Sequence, residues 1–428
     1  MHPSLLALHR CLQADWFLVQ QELRLQAAHA TVLLEANVLQ AQEHDRIQVA
    51  LRDLTDEYAT GPAPDSECED LHTWVEFELV KRSGEAGKKI HTARSRNDQV
   101  ATLLVMYLID AAAQIGAHTA SVTRSLCHQA TRWSDTEFPL HTHTQFAAPG
   151  SVGAWFLRFA VPVERLRARL EAAVAMWQDS CPLGSGAVAG SSIPIDRHRQ
   201  AALLGFRSPS LSALDATTSR DECVQFLGLL AHLAIHMQSF ATDCILFAHP
   251  SLAWIEYPKA FATGSSMMPN KSNPDALELL RGESCALQAA HAQALLLLKG
   301  LPSGYNRDLQ CIKPIVHAAA TAVPRLLDLM RSFVDAVQFD HQRLAAALEL
   351  NSIGATLAME DLVRAGVPLR DAHHATADSI ASGNSGSGNP GTAQIRSANA
   401  YQTAGSASPA ETRRVAAAIV ARLGPSAT

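Results

Sequence analysis

The stretch Gly264-Ser265-Ser266-Met267-Met268-Pro269-Asn270-Lys271-Ser272-Asn273-Pro274 places hydroxyls, a cation and an amide on a flexible segment directly ahead of a helix start. Asn273 fits an N-cap, Pro274 the first helical position, and Asp275 the positive end of the helix dipole. Glu278 then falls one turn inside that helix. Exposed backbone N–H groups, a lysine and mobile hydroxyls suit a substrate carboxylate and the negative charge that develops beside it. Gly-Ser-Ser alone is an ordinary turn sequence. The full ordered string carries the reading.

A second dense segment, His91-Thr92-Ala93-Arg94-Ser95-Arg96-Asn97-Asp98-Gln99, offers hydroxyl, guanidinium and amide donors at Ser95, Arg96 and Asn97. Such donors suit a dicarboxylate, and Arg96 is able to bind it bidentately. The competing reading is a solvated turn, the usual fate of a charge-dense run. Thr142-His143-Thr144-Gln145 adds a hydroxyl and an imidazole. His141 and His143 form an H-x-H pair, but no third ligand lies at recognisable spacing, so no metal site and no cofactor are expected. Any one of 19 histidines is more often structural than catalytic; only its sequence context singles out His143.

These motifs resemble known ones. The Gly264–Pro274 string resembles the signature loop of the fumarase/aspartase superfamily, whose members eliminate fumarate from substituted succinates. The His91–Gln99 segment, with Ala93 where a glycine is usual, is similar to the hallmark of its argininosuccinate lyase branch. Thr142–Gln145, Leu183-Gly184-Ser185-Gly186-Ala187 and Tyr305-Asn306-Arg307-Asp308-Leu309-Gln310 follow in family order. The resemblance runs from about Asp15 to the last helix. It implies a three-domain, all-α fold whose long central helices assemble into a homotetramer, each active site being built from three subunits. It implies β-elimination across a C–N bond, with Ser265 as base, Lys271 and Asn273 gripping the carboxylate beside the reacting carbon, and His143 with Glu278 as a proton relay. Thr142 would offer a hydroxyl to a carboxylate. Tyr305, Gln310 and Lys313, at the family's five-then-three interval, would take the amino-acid head group. Asp15 aligns with an N-terminal acid and would face a cationic group. Arg220, in Ser219-Arg220-Asp221, is similar to a family arginine near the site; an ion pair with Asp221 is the other role open to it.

The elements that must hold these residues read as helices. Stretches 100–130, 155–178, 222–247, 276–299 and 316–337 are rich in Ala, Leu, Gln and Met, without strand-like alternation. Residues 222–247 are apolar on nearly every face, which predicts a helix buried on all sides and about 39 Å long. Punctuation divides the chain into 1–95, a charge-rich N-terminal helical domain; 96–345, the helical bundle; and 346–428, a small C-terminal helical domain. Within the last, Ser379–Gly391 reads as a mobile Gly/Ser/Asn-rich loop and a final helix is expected from about Pro409.

Composition bounds the partners. A chain of 428 residues can bury a large core. Its 47% hydrophobic and 18% charged content points to apolar surface covered by other subunits. A net charge of −6 leaves no basic footprint for nucleic acid. The eight scattered cysteines, with no C-x-x-C, read as reduced and mostly buried thiols. The N-terminal apolar stretch, broken by His9 and Arg10, is not expected to be a signal peptide. Charges such as Asp110 and Lys299 are expected to interrupt every candidate membrane span. A cytoplasmic protein acting on a small N-substituted succinate, with no membrane or nucleic-acid partner, is the reading.

Several departures from the family pattern bear on the substrate. The Trp-Gly-Gly-Arg-Phe lead is missing, Cys11 stands where a serine would help bind the amino-acid portion, Ala148 replaces a glutamine, and Cys311-Ile312 replaces an acidic pair. The expectation is cleavage of argininosuccinate to arginine and fumarate. The alternatives are fumarate release from another N-substituted aspartate, of the ethylenediamine-disuccinate type or a specialised biosynthetic intermediate, and a non-enzymatic helical assembly.

Overall fold

The computed structural model describes residues 2–349, 353–382 and 397–424, and helices dominate it. The N-terminal helices are α1 (Pro3–His9), α2 (Leu12–Asp15), α3 (Val19–Glu35), α4 (Ala41–Glu57) and α5 (Leu71–Ser83). Next come α6 (Arg96–Arg132), the strands β1 (Glu137–Thr142) and β2 (Gln145–Ser151), and α7 (Val152–Trp177). The short α8 (Arg197–Leu203) and α9 (Ala213–Thr218) lead into α10 (Asp221–Ala248). Three two-residue strands, β3 (Ile255–Glu256), β4 (Thr263–Gly264) and β5 (Ser272–Asn273), precede α11 (Asp275–Leu298) and α12 (Ile312–Ala336). After β6 (Gln338–Phe339) the chain ends in α13 (His341–Glu349), α14 (Ala355–Arg364), α15 (Leu369–Ala381) and α16 (Pro409–Arg422). The fold is all-α, as expected. Each of the five long expected helices falls on an observed one, with ends displaced by four residues or fewer.

Two compact units share the chain. One takes Met1–Gly116, Ala168–His232 and Ala286–Pro324; the other takes Ala117–Arg167, Leu233–Cys285 and Arg325–Thr428. In the first, α4 packs on α3 and α5 and buries Ile47, Ala50, Leu51 and Leu54. Asp70 starts α5 as its N-cap, accepting the Thr73 N–H at 2.7 Å. In the second, Phe138, Trp155, Phe240, Phe247, Trp254 and Phe339 form one aromatic cluster of largely edge-to-face contacts. Ser408 caps α16, and Glu411 reaches back to the Gly405 N–H at 2.8 Å.

Three expectations are corrected. The α10 helix is not buried on all sides within one chain: Ile235 and Leu246 are half exposed, while Phe226, Leu227, Leu230, Met237 and Phe240 are buried. The apolar residues that fill every face thus divide between an inner face and an outer stripe. Charges do not interrupt every membrane-length run either. Arg96–Arg132 and Asp221–Ala248 are long and apolar enough to cross a membrane by length and composition, with 61% and 50% of their most apolar windows buried in the molecule. Isolated charges such as Asp110 fall outside or within the tolerance of an 18-residue window, and a bundle core has the same composition as a span. The loop expected over Ser379–Gly391 begins later, since α15 continues to Ala381; from residue 383 it lies outside the described residues.

Candidate functional site

In the second unit, β4 and β5 pair antiparallel, Thr263 opposite Asn273 and Gly264 opposite Ser272, so residues 265–271 form the tip of a closed hairpin. This pairing draws Asn273 into extended backbone and moves the helix start by one position from that expected. Pro274 supplies the carbonyl that accepts the Leu277 and Glu278 N–H groups, and Asp275 is the first helical residue. Asp275 also accepts hydrogen bonds from the Thr263 N–H and hydroxyl, which ties the hairpin to the helix. At the tip the Ser265 Oγ accepts two backbone N–H groups, Met267 at 3.3 Å and Met268 at 3.1 Å. Donors aimed at an oxygen favour its anion. Ser265 is half-buried, whereas Lys271 and Glu278 are exposed. Among the described residues Lys271 makes no ion pair.

The second group sits on the β1–β2 hairpin of the same unit, where Thr142 pairs with Gln145. His143 and Thr144 form the two-residue turn with φ of 53° and 60°. A primed turn demands left-handed backbone at both central positions and is normally filled by Asn-Gly or Asp-Gly. Two side-chain-bearing residues there are strained, and they hold the His143 imidazole out at an exposed tip. His141 is packed differently: its ring lies 4.8 Å from Phe146 and stacks on Trp254 at 5.4 Å. It is nonetheless exposed at one edge, and partial loss of water against those rings lowers its pKa, against a smaller opposite effect of Asp243. Among the described residues no hydrogen bond or ion pair joins His143 to Glu278 within one chain.

The first unit holds the arginine-rich segment. Ala93 has φ of 65°, the left-handed turn for which glycine is suited. Ser95 opens α6, its carbonyl accepting the Gln99 N–H at 3.2 Å. Asp98 Oδ1 accepts the Ser95 N–H at 2.9 Å, half of a capping box. Its Oδ2 accepts the Gly184 and Gly186 N–H groups at 3.0 and 2.8 Å. Asn97 donates to the Ala187 carbonyl at 3.1 Å. The structure thereby brings the Leu183–Ala187 motif onto the start of α6, and the left-handed φ of 84° and 61° at Gly184 and Gly186 turns both N–H groups inward. Arg96 is gripped by acids of this chain: Nη1 lies 2.6 Å from Glu76 Oε1, Nη2 3.4 Å from Glu76 Oε2, and Nε 3.6 Å from Asp70. His91 Nδ1 also meets Glu76, at 2.7 Å. Burial pushes the Glu76 carboxyl up, but the His91 and Arg96 contacts outweigh it and hold the pKa at about 2.

Of the expected head-group residues, Asp15 and Lys313 are brought together. Lys313 Nζ lies 2.5 Å from Asp15 Oδ1, both side chains being almost wholly buried. Cys11 donates to Asp15 Oδ2 at 3.0 Å, its thiol pushed up to about 12 mainly by burial. The cation that Asp15 meets in this chain is therefore Lys313. Tyr305 and Gln310 are half-buried and no hydrogen bond among the described residues links them to that pair. Arg220 is buried and does not pair with Asp221. Its Nη1 donates to the Ser219 carbonyl at 2.6 Å, while Nε and Nη2 have no partner among the described residues. Beside it lies a cavity of about 30 Å³ lined by Ser180, Ser210, Asp215 and Glu222.

Three contributors escaped the sequence reading: Asp98 as the clasp on Gly184 and Gly186, Glu76 with Asp70 as the partners of Arg96, and the Met267 and Met268 N–H groups on Ser265. Only the first left a local signal, the Ser95-x-x-Asp98 box.

Comparison with known proteins places this arrangement in a family. Residues 11–288 match the family model described as Lyase. The chain is 37% identical over 371 residues to an argininosuccinate lyase of Acidobacterium capsulatum, covering 85% of this chain and 76% of that protein. It is 38% identical over 375 residues to an argininosuccinate lyase of Gloeobacter violaceus, covering 87% and 80%. Among solved structures it is similar to an EDDS lyase in complex with formate, at TM-score 0.81 and 21% identity over 98% of this chain and 88% of that one. A class II fumarase from Schistosoma mansoni shares the fold at TM-score 0.70 and 17% identity, over 84% and 86%. On the extent of those matches the chain belongs to the argininosuccinate lyase family, within the wider lyase family whose model it fits.

Proposed function

We propose that this chain is a carbon–nitrogen lyase that eliminates fumarate from argininosuccinate and releases arginine. The 37% identity to an argininosuccinate lyase over most of both chains carries this reading. The chemistry sets one main demand. The proton removed lies next to a carboxylate that is already negative, so the carbanion left behind holds two negative charges on that group. Fixed donors and a cation in a site closed to water meet that demand.

Ser265 serves as the base in this reading, its alkoxide favoured by the two N–H groups at the hairpin tip and by Lys271. It takes the proton from carbon. The electron pair forms the new C=C bond, and the C–N bond breaks. The departing guanidine nitrogen takes a proton through His143, whose imidazole is held by Glu278. Lys271, Asn273, Thr142, Ser95, Arg96 and Asn97 bind the carboxylates; Tyr305, Gln310, Lys313 and Asp15 form the amino-acid end, with Arg220 as a further substrate-binding group near the site. Within one chain the tips bearing His143 and Ser265 are open, and His143 does not reach Glu278. The exposed apolar residues Ile235, Leu246, Leu279, Leu295 and Leu296 on α10 and α11 supply surface for further copies. A cytoplasmic homotetramer that completes each site from several subunits is the assembly proposed. Light scattering should find a particle of four chains.

Cys11, Ala148 and Cys311-Ile312 favour a second reading, in which elimination is retained and the amine differs. A fumarate-release screen across N-substituted aspartates tests both. Turnover of argininosuccinate well above the others is expected. Turnover only of another N-succinyl amine selects the second reading, and silence with all of them removes the enzymatic claim.

A further inference from the structure

A continuous hydrogen-bonded path runs from the interior of the first unit to the Arg96 guanidinium. Its buried end is Glu22, wholly inaccessible, whose Oε2 meets His72 Nδ1 at 3.0 Å. Glu22 Oε1 accepts from Gln26 Nε2 at 2.6 Å and from Gln99 Nε2 at 3.4 Å. The other end of the Gln99 amide accepts from Arg96 Nη1 at 3.1 Å. Gln26 in turn accepts from the buried Arg94 at 3.0 Å. An amide has one donating and one accepting end, and here each is committed. Glu22 orients the Gln99 amide so that its oxygen faces the guanidinium. Glu76, Asp70, His91 and Thr73 also contact the guanidinium.

We propose that Gln99, oriented by the buried Glu22–His72 pair, is a positioning residue that holds Arg96 in the geometry in which it binds the dicarboxylate end of the substrate. This rests on the reading of Arg96 as a carboxylate-binding residue. Gln99 itself is fully buried, so it acts through Arg96 and not on the ligand directly. Both ends of the Gln26 and Gln99 amides and both Glu22 oxygens are committed, which favours one arrangement of them, while Nε and Nη1 of the buried Arg94 have no partner among the described residues. A guanidinium that loses its Gln99 contact samples more rotamers among the remaining partners, and its bidentate grip on a carboxylate suffers.

The test is a double-mutant cycle of Gln99→Leu and Arg96→Lys in the full-length protein, read by steady-state fumarate release and by direct calorimetric binding of fumarate. Gln99→Leu is expected to raise KM and weaken fumarate binding about tenfold with kcat within about twofold, the mark of lost uniform binding. In the Arg96→Lys background the same change should add less than about twofold, because its effect passes through Arg96. Glu22→Gln, which keeps an acceptor for the Gln99 amide, should stay within about threefold of the parent. Unchanged KM and fumarate binding in Gln99→Leu overturns the proposal, as does full additivity with Arg96→Lys. If Gln99→Leu misfolds, Glu22→Gln set against Glu22→Leu decides: equal losses in both overturn it. A parent protein that binds fumarate but cleaves no argininosuccinate sinks the substrate reading and leaves the fumarate-binding arm intact.

Discussion

The Asp15–Lys313 pair gives the most direct prediction, because its stability and functional consequences separate. Lys313 sits at the second position of α12 and Asp15 at the end of α2, 2.5 Å apart and 6% and 2% exposed. Asp15→Asn removes the charge and leaves the ammonium buried. The loss of one partner of a buried pair costs about 3–5 kcal/mol, and the low end applies because Asn keeps a carbonyl acceptor. Unfolding entropy of about 2.1 cal/mol/K per residue gives about 0.9 kcal/mol/K for a chain of 428 residues. A loss of about 3 kcal/mol thus lowers Tm by about 3 °C, measured calorimetrically at one protein concentration. Lys313→Met should do as much, since it leaves the carboxylate with only the Cys11 thiol. In the double variant Asp15→Leu/Lys313→Met both charges are gone, and Tm should return to within about 1 °C of the parent. Inhibition by arginine should fail to return with it, because the head-group site has lost both charges. Additive Tm losses in the double variant, or no loss in either single one, would refute the claim that the two buried charges depend on each other.

Other predictions follow from the same geometry. Ser265→Ala should abolish fumarate release while leaving Tm and the assembled mass unchanged; residual turnover near the parent's would remove Ser265 as the base. Ala93→Gly should stabilise by about 0.5–1 kcal/mol in a denaturant titration, because relief of the left-handed backbone, worth about 1–2 kcal/mol, exceeds the extra chain entropy of glycine. A lower midpoint would contradict that. Glu76 has its pKa depressed from 4.5 to about 2, so its contribution is present above pH 4.5 and is lost as pH falls toward 2. Glu76→Gln should therefore be less stable than the parent at pH 6 and flatten the stability profile across that window; parallel profiles would count against the pairing with His91 and Arg96.

The long helices were legible because composition alone encodes them: runs of Ala and Leu without alternation favour helix over strand, and their ends fell within four residues. The His143 hairpin was not. Its turn is His-Thr where local chemistry calls for Asn-Gly, so nothing in the tetrapeptide announces a reversal, and the strain is visible only in the backbone angles. The Asn273 cap missed by one position for a related reason. Asn273 is a good cap locally, but pairing with Thr263 ten residues earlier claims its backbone for a strand. The membrane expectation failed where charges were weighed one at a time and not over a window.

The site residues show the same division between what a residue is and what it meets. Motif resemblance named Arg96, Lys313 and Asp15 as groups for a substrate's charges, and side-chain type supports each role. Their partners are fixed by contacts far along the chain: Glu76 for Arg96, and for Asp15 a lysine nearly 300 residues away. A charged group already neutralised by its own chain binds substrate only by exchanging partners. The difference in energy between the two pairings sets affinity, and the strength of either alone does not. For the Asp15–Lys313 pair that exchange favours a ligand carrying both an ammonium and a carboxylate, which meets both ends at once. A simple amine would satisfy Asp15 and strand Lys313. The amino-acid head group of a leaving arginine has the required pair of charges, so the closed ion pair and the proposed substrate are consistent with each other.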